Sequence, residues 1–236
     1  MADVETPQAA PARKNADLPV RIVSAIVMLA IAIGALVAGD PWLDWLIAAV
    51  VLAAFVEFVL LVVKATQNVP YRLAGILAGA AYIGLAGAAL TRFPPAMIVG
   101  VVGAVIFVDT FAYFSGRTIG GPKIAPSISP SKTWAGLIGG IIGAAIWVAA
   151  WIYVVGRRTA GDATLMFDAT EVGQIMVIGA VIAVAAQSGD FFESWLKRKA
   201  GVKDSSKLIP GHGGFFDRVD GMIPVVLVAA FFGVGS

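Results

Sequence analysis

The sequence predicts an all-α, polytopic transmembrane bundle of about seven or more helices, with its N-terminus in the cytoplasm. Three observations carry that prediction. Apolar residues fill 59% of the 236 positions and charged residues only 14%, where an ordinary soluble domain carries about 25% charge, and the mean hydropathy is +0.88. The apolar residues fall in continuous runs, several of them longer than the ~18 residues that mark a helix able to cross the hydrocarbon. Continuous runs satisfy their backbone groups as helices, whereas a transmembrane barrel would show short alternating segments. Third, Lys and Arg lie almost entirely in alternate loops. The chain has no cysteine, which excludes a disulfide framework, a thiolate nucleophile and a zinc–sulfur site.

Residues 1–17, MADVETPQAAPARKNAD, are polar and rich in Pro and Ala, and read as a disordered cytoplasmic tail. The first apolar run begins near Leu18, too late for a cleaved signal peptide, whose apolar region follows directly on a short basic start. Residues 18–236 read as one transmembrane domain without internal repeats. Its first span covers 20–38 and ends at the turn Gly39-Asp40-Pro41. The second, 42–63, opens with Trp42 and Trp45, aromatics suited to a membrane interface. The third, 73–90, is rich in Gly and Ala, which allow helices to approach closely. Spans four, five and six cover 96–114, 134–155 and 172–195. The last begins between 215 and 222. A helix starting at Met222 and running to Ser236 is too short to cross at 1.5 Å per residue, so a seventh crossing must begin near Phe215, drawing Asp217 and Asp220 into the membrane.

All but three of the seventeen Lys and Arg residues fall on the N-terminal side of this arrangement. They are Arg13, Lys14, Arg21, Lys64, Arg72, Arg117, Lys123, Lys132, Lys197, Arg198, Lys199, Lys203, Lys207 and Arg218. Only Arg92, Arg157 and Arg158 lie opposite. The positive-inside rule assigns the rich side to the cytoplasm.

The densest polar stretch is 194–220, SWLKRKAGVKDSSKLIPGHGGFFDRVD. It holds the single histidine and sits next to carboxylates at matching depth. Asp109 lies toward the cytoplasmic end of span four, Asp190 and Glu193 toward that end of span six, and Asp217 and Asp220 at the start of the last segment. Each pair in sequence is three residues apart and shares a helix face. Any one of these acids is accounted for by a neighbouring Lys or Arg; all of them at one depth on one side point to function, because intramembrane charge is costly. Carboxylates without Cys suit a hard cation. Magnesium takes one or two carboxylates together with substrate phosphates, whereas zinc prefers His and Cys ligands. Lys197, Arg198, Lys203, Lys207 and Arg218 suit phosphate, the arginines as bidentate forks. The turn at 210–214 offers glycine backbone N–H groups to an anion. A polybasic strip on anionic headgroups, worth about 1 kcal/mol per side chain, accounts for the lysines but not for the interleaved acids.

A second polar block, 109–133, alternates Arg117, Lys123 and Lys132 with Ser115, Ser127, Ser129 and Ser131. It reads either as a connecting loop with a helix cap at Ser131 or Thr133, or as an anion-holding loop folded over the carboxylates. His212 suits a switch or acid and equally a donor that steadies the turn.

The 194–220 stretch resembles the signature of the phosphatidate cytidylyltransferase (CDP-diacylglycerol synthase) family, through Ser194, Lys197-Arg198, Lys203-Asp204, Pro210, His212-Gly213-Gly214, Asp217-Arg218 and Asp220. The earlier block matches through Asp109-Thr110, Gly116-Arg117 and 129–133, and Gly189-Asp190 with Glu193-Ser194 fits as well. The likeness is close over the C-terminal half and extends to the N-terminal part only in hydropathy. It implies a magnesium-dependent transfer of CMP from CTP to phosphatidic acid, giving CDP-diacylglycerol and pyrophosphate in phospholipid biosynthesis. A second divalent or a monovalent cation is the expected companion of the Mg²⁺. Asp190, Asp217, Asp220, Lys197 and Arg218 are the implied catalytic residues, and Asp190, Asp217, Asp220 and Asp109 the implied metal ligands. Arg117, Lys123, Ser129, Lys132, Arg198, Lys203, His212, Gly213 and Gly214 would hold the nucleotide and lipid phosphates. The lipid phosphate, with a second pKa near that of a phosphomonoester, about 6, needs no protein nucleophile to attack CTP. The resemblance further implies a bacterial inner-membrane protein with its site facing the cytoplasm, in contact with bilayer lipid and not nucleic acid, with a homodimer as the alternative to a monomer. The rival readings are a CTP-dependent enzyme acting on another lipid phosphate or alcohol, and a cation-coupled transporter, which would place its acids near the midplane.

Overall fold

The computed structural model describes residues 18–160 and 167–233; the tail expected over 1–17 lies outside them. Six helices among the described residues are long and apolar enough to cross a membrane: α1 (Leu18–Ala38), α2 (Trp42–Ala65), α3 (Val69–Leu90), α4 (Pro95–Thr118), α5 (Trp134–Ala160) and α6 (Ala169–Ala200). Their ends follow local chemistry. The Asn68 side chain accepts the Tyr71 amide at 3.2 Å and Pro70 occupies the first turn, so α3 starts upstream of the span expected from hydropathy. Asp168 and Glu171 form a reciprocal capping box at the start of α6, and Gly201, with φ 69°, ends it in the left-handed region. With 32 residues, α6 is about 48 Å long, well beyond a hydrocarbon core of about 30 Å. Its last turns therefore carry Lys197, Arg198 and Lys199 out of the membrane.

The seventh crossing is not formed as one helix. The segment after the signature loop divides into α7 (Phe216–Val219) and α8 (Met222–Phe231), and the 10 residues of α8 cover only about 15 Å. Pro224 has no N–H to give the Asp220 carbonyl four residues before it. That carbonyl instead lies directly over the α carbon of Gly189 on α6, where there is no room for a Cβ. The break falls after six crossings, so the assignment of basic loops to one side is unchanged.

A second departure from the helical expectation lies between α4 and α5. Here β1 (Lys123–Ala125) and β2 (Ser129–Thr133) pair antiparallel, Lys123 opposite Thr133 and Ala125 opposite Ser129. Thr133 supplies the cap for α5, its hydroxyl oxygen accepting the Gly136 amide at 3.0 Å.

Small residues bring the helices together. The buried core is built on Ala54, Ala86, Ala183 and Ala186 with Leu61, Val108 and Val226, drawn from α2, α3, α4, α6 and α8. The α4 and α5 backbones are in near contact, since a Cβ on Gly143 would meet the Phe107 carbonyl at 2.6 Å. Trp147 donates across that interface to the Gly100 carbonyl at 2.8 Å. By contrast α1 buries only Ala35 and presents most of its apolar surface outward.

Candidate active site

A cavity of about 650 Å³ collects the ionisable residues of four separate segments. Asp109 and Arg117 come from α4, Lys123 and Lys132 from the hairpin, Gln187 and Asp190 from α6, and Asp217 and Asp220 from α7 and the turn that follows. The second polar block thus folds over the carboxylates, and its Lys132 forms an ion pair with Asp190. Burial opposes the charge on Lys132, but Asp190 beside it outweighs that and holds the ammonium pKa above its ordinary value.

On α6 the residues Asp190, Glu193 and Lys197 form one stripe at helical spacing. Lys197 bridges from Glu193 at 2.6 Å to Asp217 at 3.0 Å. Asp217 also accepts the Ser205 amide at 3.0 Å and the Gly214 amide at 2.9 Å. Burial works against its charge, yet Glu193, the Gly214 amide and Lys197 together hold its carboxyl well below the usual carboxylate range. Asp220 goes the other way. Burial first, and then the charge of Asp190, push its pKa up to about 7.

The other residues expected at the site lie around this cavity and not in its wall. Arg218 turns back to donate twice to the His212 carbonyl, at 3.0 and 2.6 Å, so it holds the glycine turn in shape. The His212 Nδ1 lies 2.8 Å from the Ser24 hydroxyl on α1, and Ser24 also donates to the Pro210 carbonyl at 3.0 Å. Gly213, with φ 84°, sits where a Cβ would meet a carboxylate oxygen of Asp217 at 2.5 Å. Gly214 leaves no room for a Cβ between Ser205 and Glu57. Ser129 is half-buried in the hairpin, and Arg198 and Lys203 are exposed at the end of α6 and just beyond it.

The donor set fits a hard cation that shares its coordination with substrate. Two buried acceptors, Gln187 Oε1 and Glu193 Oε1, have no hydrogen-bond partner. Buried acceptors are normally satisfied, and here they stand beside carboxylates, with Gln187 in the cavity wall. Among the described residues, however, no group of three or more acidic or histidine side chains converges closely enough to hold a metal alone.

Sequence reasoning missed Glu57. This carboxylate is 1% exposed in the middle of α2 and accepts four hydrogen bonds from the signature loop: Ser205 Oγ at 2.8 Å, Ser206 Oγ at 2.7 Å, Phe215 N at 3.1 Å and Phe216 N at 2.9 Å. An acid deep inside a 24-residue apolar helix, whose other acid, Asp44, lies in the first turn, was the available signal. Gln187 was missed too, because an amide in a transmembrane helix carries no charge to mark it.

Comparison with known proteins bears on the same half of the chain. Residues 94–234 match the model of the cytidylyltransferase family. A phosphatidate cytidylyltransferase of Brucella abortus is 40% identical over 141 residues, covering 58% of this chain and 46% of that protein. One from Haemophilus influenzae is 42% identical over 124 residues, covering 52% and 41%, and one from Rickettsia typhi is 36% identical over 138 residues, covering 54% and 53%. The chain thus spans about half the length of the curated relatives it matches. The matched region contains every acid and base that lines the cavity. With six helices fit to cross a bilayer, this is an integral membrane protein, and it belongs to the cytidylyltransferase family.

Proposed function

We propose that the chain is a phosphatidate cytidylyltransferase, joining CTP and phosphatidic acid to give CDP-diacylglycerol and pyrophosphate. The observation that supports this most is the cavity itself, in which acids and bases from four segments of a membrane bundle face one another. In the proposed reaction a phosphate oxygen of the lipid bonds to the α-phosphorus of CTP. The bond from that phosphorus to the bridging oxygen breaks, and pyrophosphate departs with the electron pair. The protein need supply no nucleophile. Its work is to hold two polyanions in line and to balance the charge that accumulates.

Lys132, Lys123 and Arg117 form the basic side of the cavity and are assigned to the phosphates. Lys132 must leave Asp190 at least in part to do so. Asp190 and Asp217 are assigned to a magnesium ion, with Asp220 and Asp109 behind them, and Gln187 offers a further oxygen. When bound, the ion would supply positive charge at the transferring phosphoryl group. Arg198 and Lys203 lie on the surface outside the cavity and are assigned to the approach of CTP. The positive-inside rule applied to the basic loops supports a cytoplasmic setting for this face, which we read as the inner side of a bacterial inner membrane.

Purified protein in liposomes, given labelled CTP, phosphatidic acid and Mg²⁺, is expected to release pyrophosphate and form CDP-diacylglycerol. Turnover with a polyprenyl phosphate and none with phosphatidic acid would overturn the choice of lipid. Because the chain has no cysteine, one Cys placed at Lys203 reports orientation. A membrane-impermeant maleimide should label it in inside-out vesicles and not in intact cells.

A further inference from the structure

We infer that Glu57 is a positioning residue for cytidylyl transfer, acting from α2 through the signature loop on Asp217. Glu57 lies outside residues 94–234, the region matched by the family model. It does not line the cavity. Its four donors are neutral hydroxyls and amides at both ends of one loop, Ser205 and Ser206 at the start and Phe215 and Phe216 at the finish. Asp217 binds the same two ends by other atoms, the Ser205 amide and the Gly214 amide. Ser205 is therefore held by its hydroxyl to Glu57 and by its N–H to Asp217. One buried carboxylate fixes the loop to the membrane helix, and the loop in turn fixes the second carboxylate at the cavity wall.

The surrounding contacts make the clasp stiff. Gly214 passes so close to Glu57 that a Cβ has no room. The next residue on α2, Phe58, packs edge-on against the wholly buried Phe216 at 5.6 Å between ring centres. A neutral amide in place of the carboxylate would turn an N–H₂ toward donors. The serine hydroxyls can rotate away from it, but the Phe215 and Phe216 amides cannot. The loop would then shift, and Asp217 with it. A displacement of about 1 Å at a catalytic group can cost about 100-fold in rate.

This role rests on the cytidylyl-transfer reading, and its test separates the two. In the full chain, Glu57→Gln should lower kcat about 100-fold per folded molecule, while KM for phosphatidic acid changes less than about threefold. Hydrogen exchange at the Ser205 and Gly214 amides, which bond Asp217 and not Glu57, should rise, with α4 and α5 amides unchanged. Ser206→Ala, which removes one donor of four, should move kcat and exchange in the same direction by a smaller factor. It keeps the test alive if Glu57→Gln fails to fold. Wild-type kcat in folded Glu57→Gln would overturn the inference. So would a loss of thermal stability with kcat and both amide exchange rates unchanged. If wild-type protein forms no CDP-diacylglycerol, the activity reading fails, while the exchange rates still report whether Glu57 sets the position of Asp217.

Discussion

Two acidic regions of this membrane protein lie on either side of the signature loop, one deeply buried and one lining a cavity, and they are satisfied differently. Around Glu57 a single carboxylate meets four donors, all within 3.1 Å. Around Asp190 four carboxylates share a cavity with Arg117, Lys123 and Lys132 and are met unevenly, Asp217 by Lys197 and two backbone amides. There Asp220 is held near neutrality, and Gln187 and Glu193 keep acceptors without partners. An acid in a membrane helix marks either region equally well. What separates them is how fully the acceptors are met: Glu57 is saturated, whereas Gln187 Oε1 in the cavity wall has no partner.

The largest expected effect is at the unsaturated region. Asp190→Asn should lower turnover by about 10²–10³-fold, the loss expected when the ion proposed to balance transition-state charge is no longer held, as measured by CDP-diacylglycerol formation. The corresponding change at the saturated region should act on stability. Glu57→Leu takes the acceptor from two buried and two partly buried donors, a buried unmet donor costing about 1–3 kcal/mol, and should lower the melting temperature far more than Asp190→Asn does. Equal melting temperatures for the two variants would erase the distinction. Gln187→Leu sharpens it within the cavity. Removing an acceptor that has no partner should leave the melting temperature of the metal-free protein unchanged or raised, while turnover falls about 10-fold, the effect of about one lost polar contact.

The smallest effect concerns pH. Asp220 binds its proton more tightly in the folded chain, up to about pH 7, than in the unfolded chain, where an aspartate titrates near 3.9. Folding is therefore favoured at low pH, and that contribution is lost as the pH rises from about 4 through 7. Asp220→Asn carries no such charge, so its melting temperature relative to the wild type should rise between pH 5 and pH 8 in metal-free buffer. A constant difference across that interval would show that Asp220 is not held in the uncharged form.

Much of the site was legible in the chain, and the reason is membrane chemistry. Asp109, Asp190, Asp217 and Asp220 stood out because charge in an apolar run is expensive, and their common depth could be counted from the ends of their helices. The pairing of Lys132 with Asp190 followed in outline, since the 109–133 block had to lie on the same face. The rotation of Arg218 back onto the His212 carbonyl did not, because helical phase is lost through a glycine turn. The divided last helix was half visible. Pro224 is in the sequence, but the freed Asp220 carbonyl needed Gly189 of α6 beside it, and no local rule pairs those two. Glu57 shows the limit most clearly: its charge was plain, yet its serine partners lie 148 and 149 positions away.

By itself the sequence determined the solvent of this protein, the rough bounds of its six long helices, and the loops in which its charges gather. Those properties follow from hydropathy summed over about twenty residues at a time and from the cost of burying charge. Only the tertiary structure decided which carboxylates are satisfied and which wait for a partner. Hydrogen bonds reach about 3 Å, and whether a donor stands that close depends on how distant helices pack.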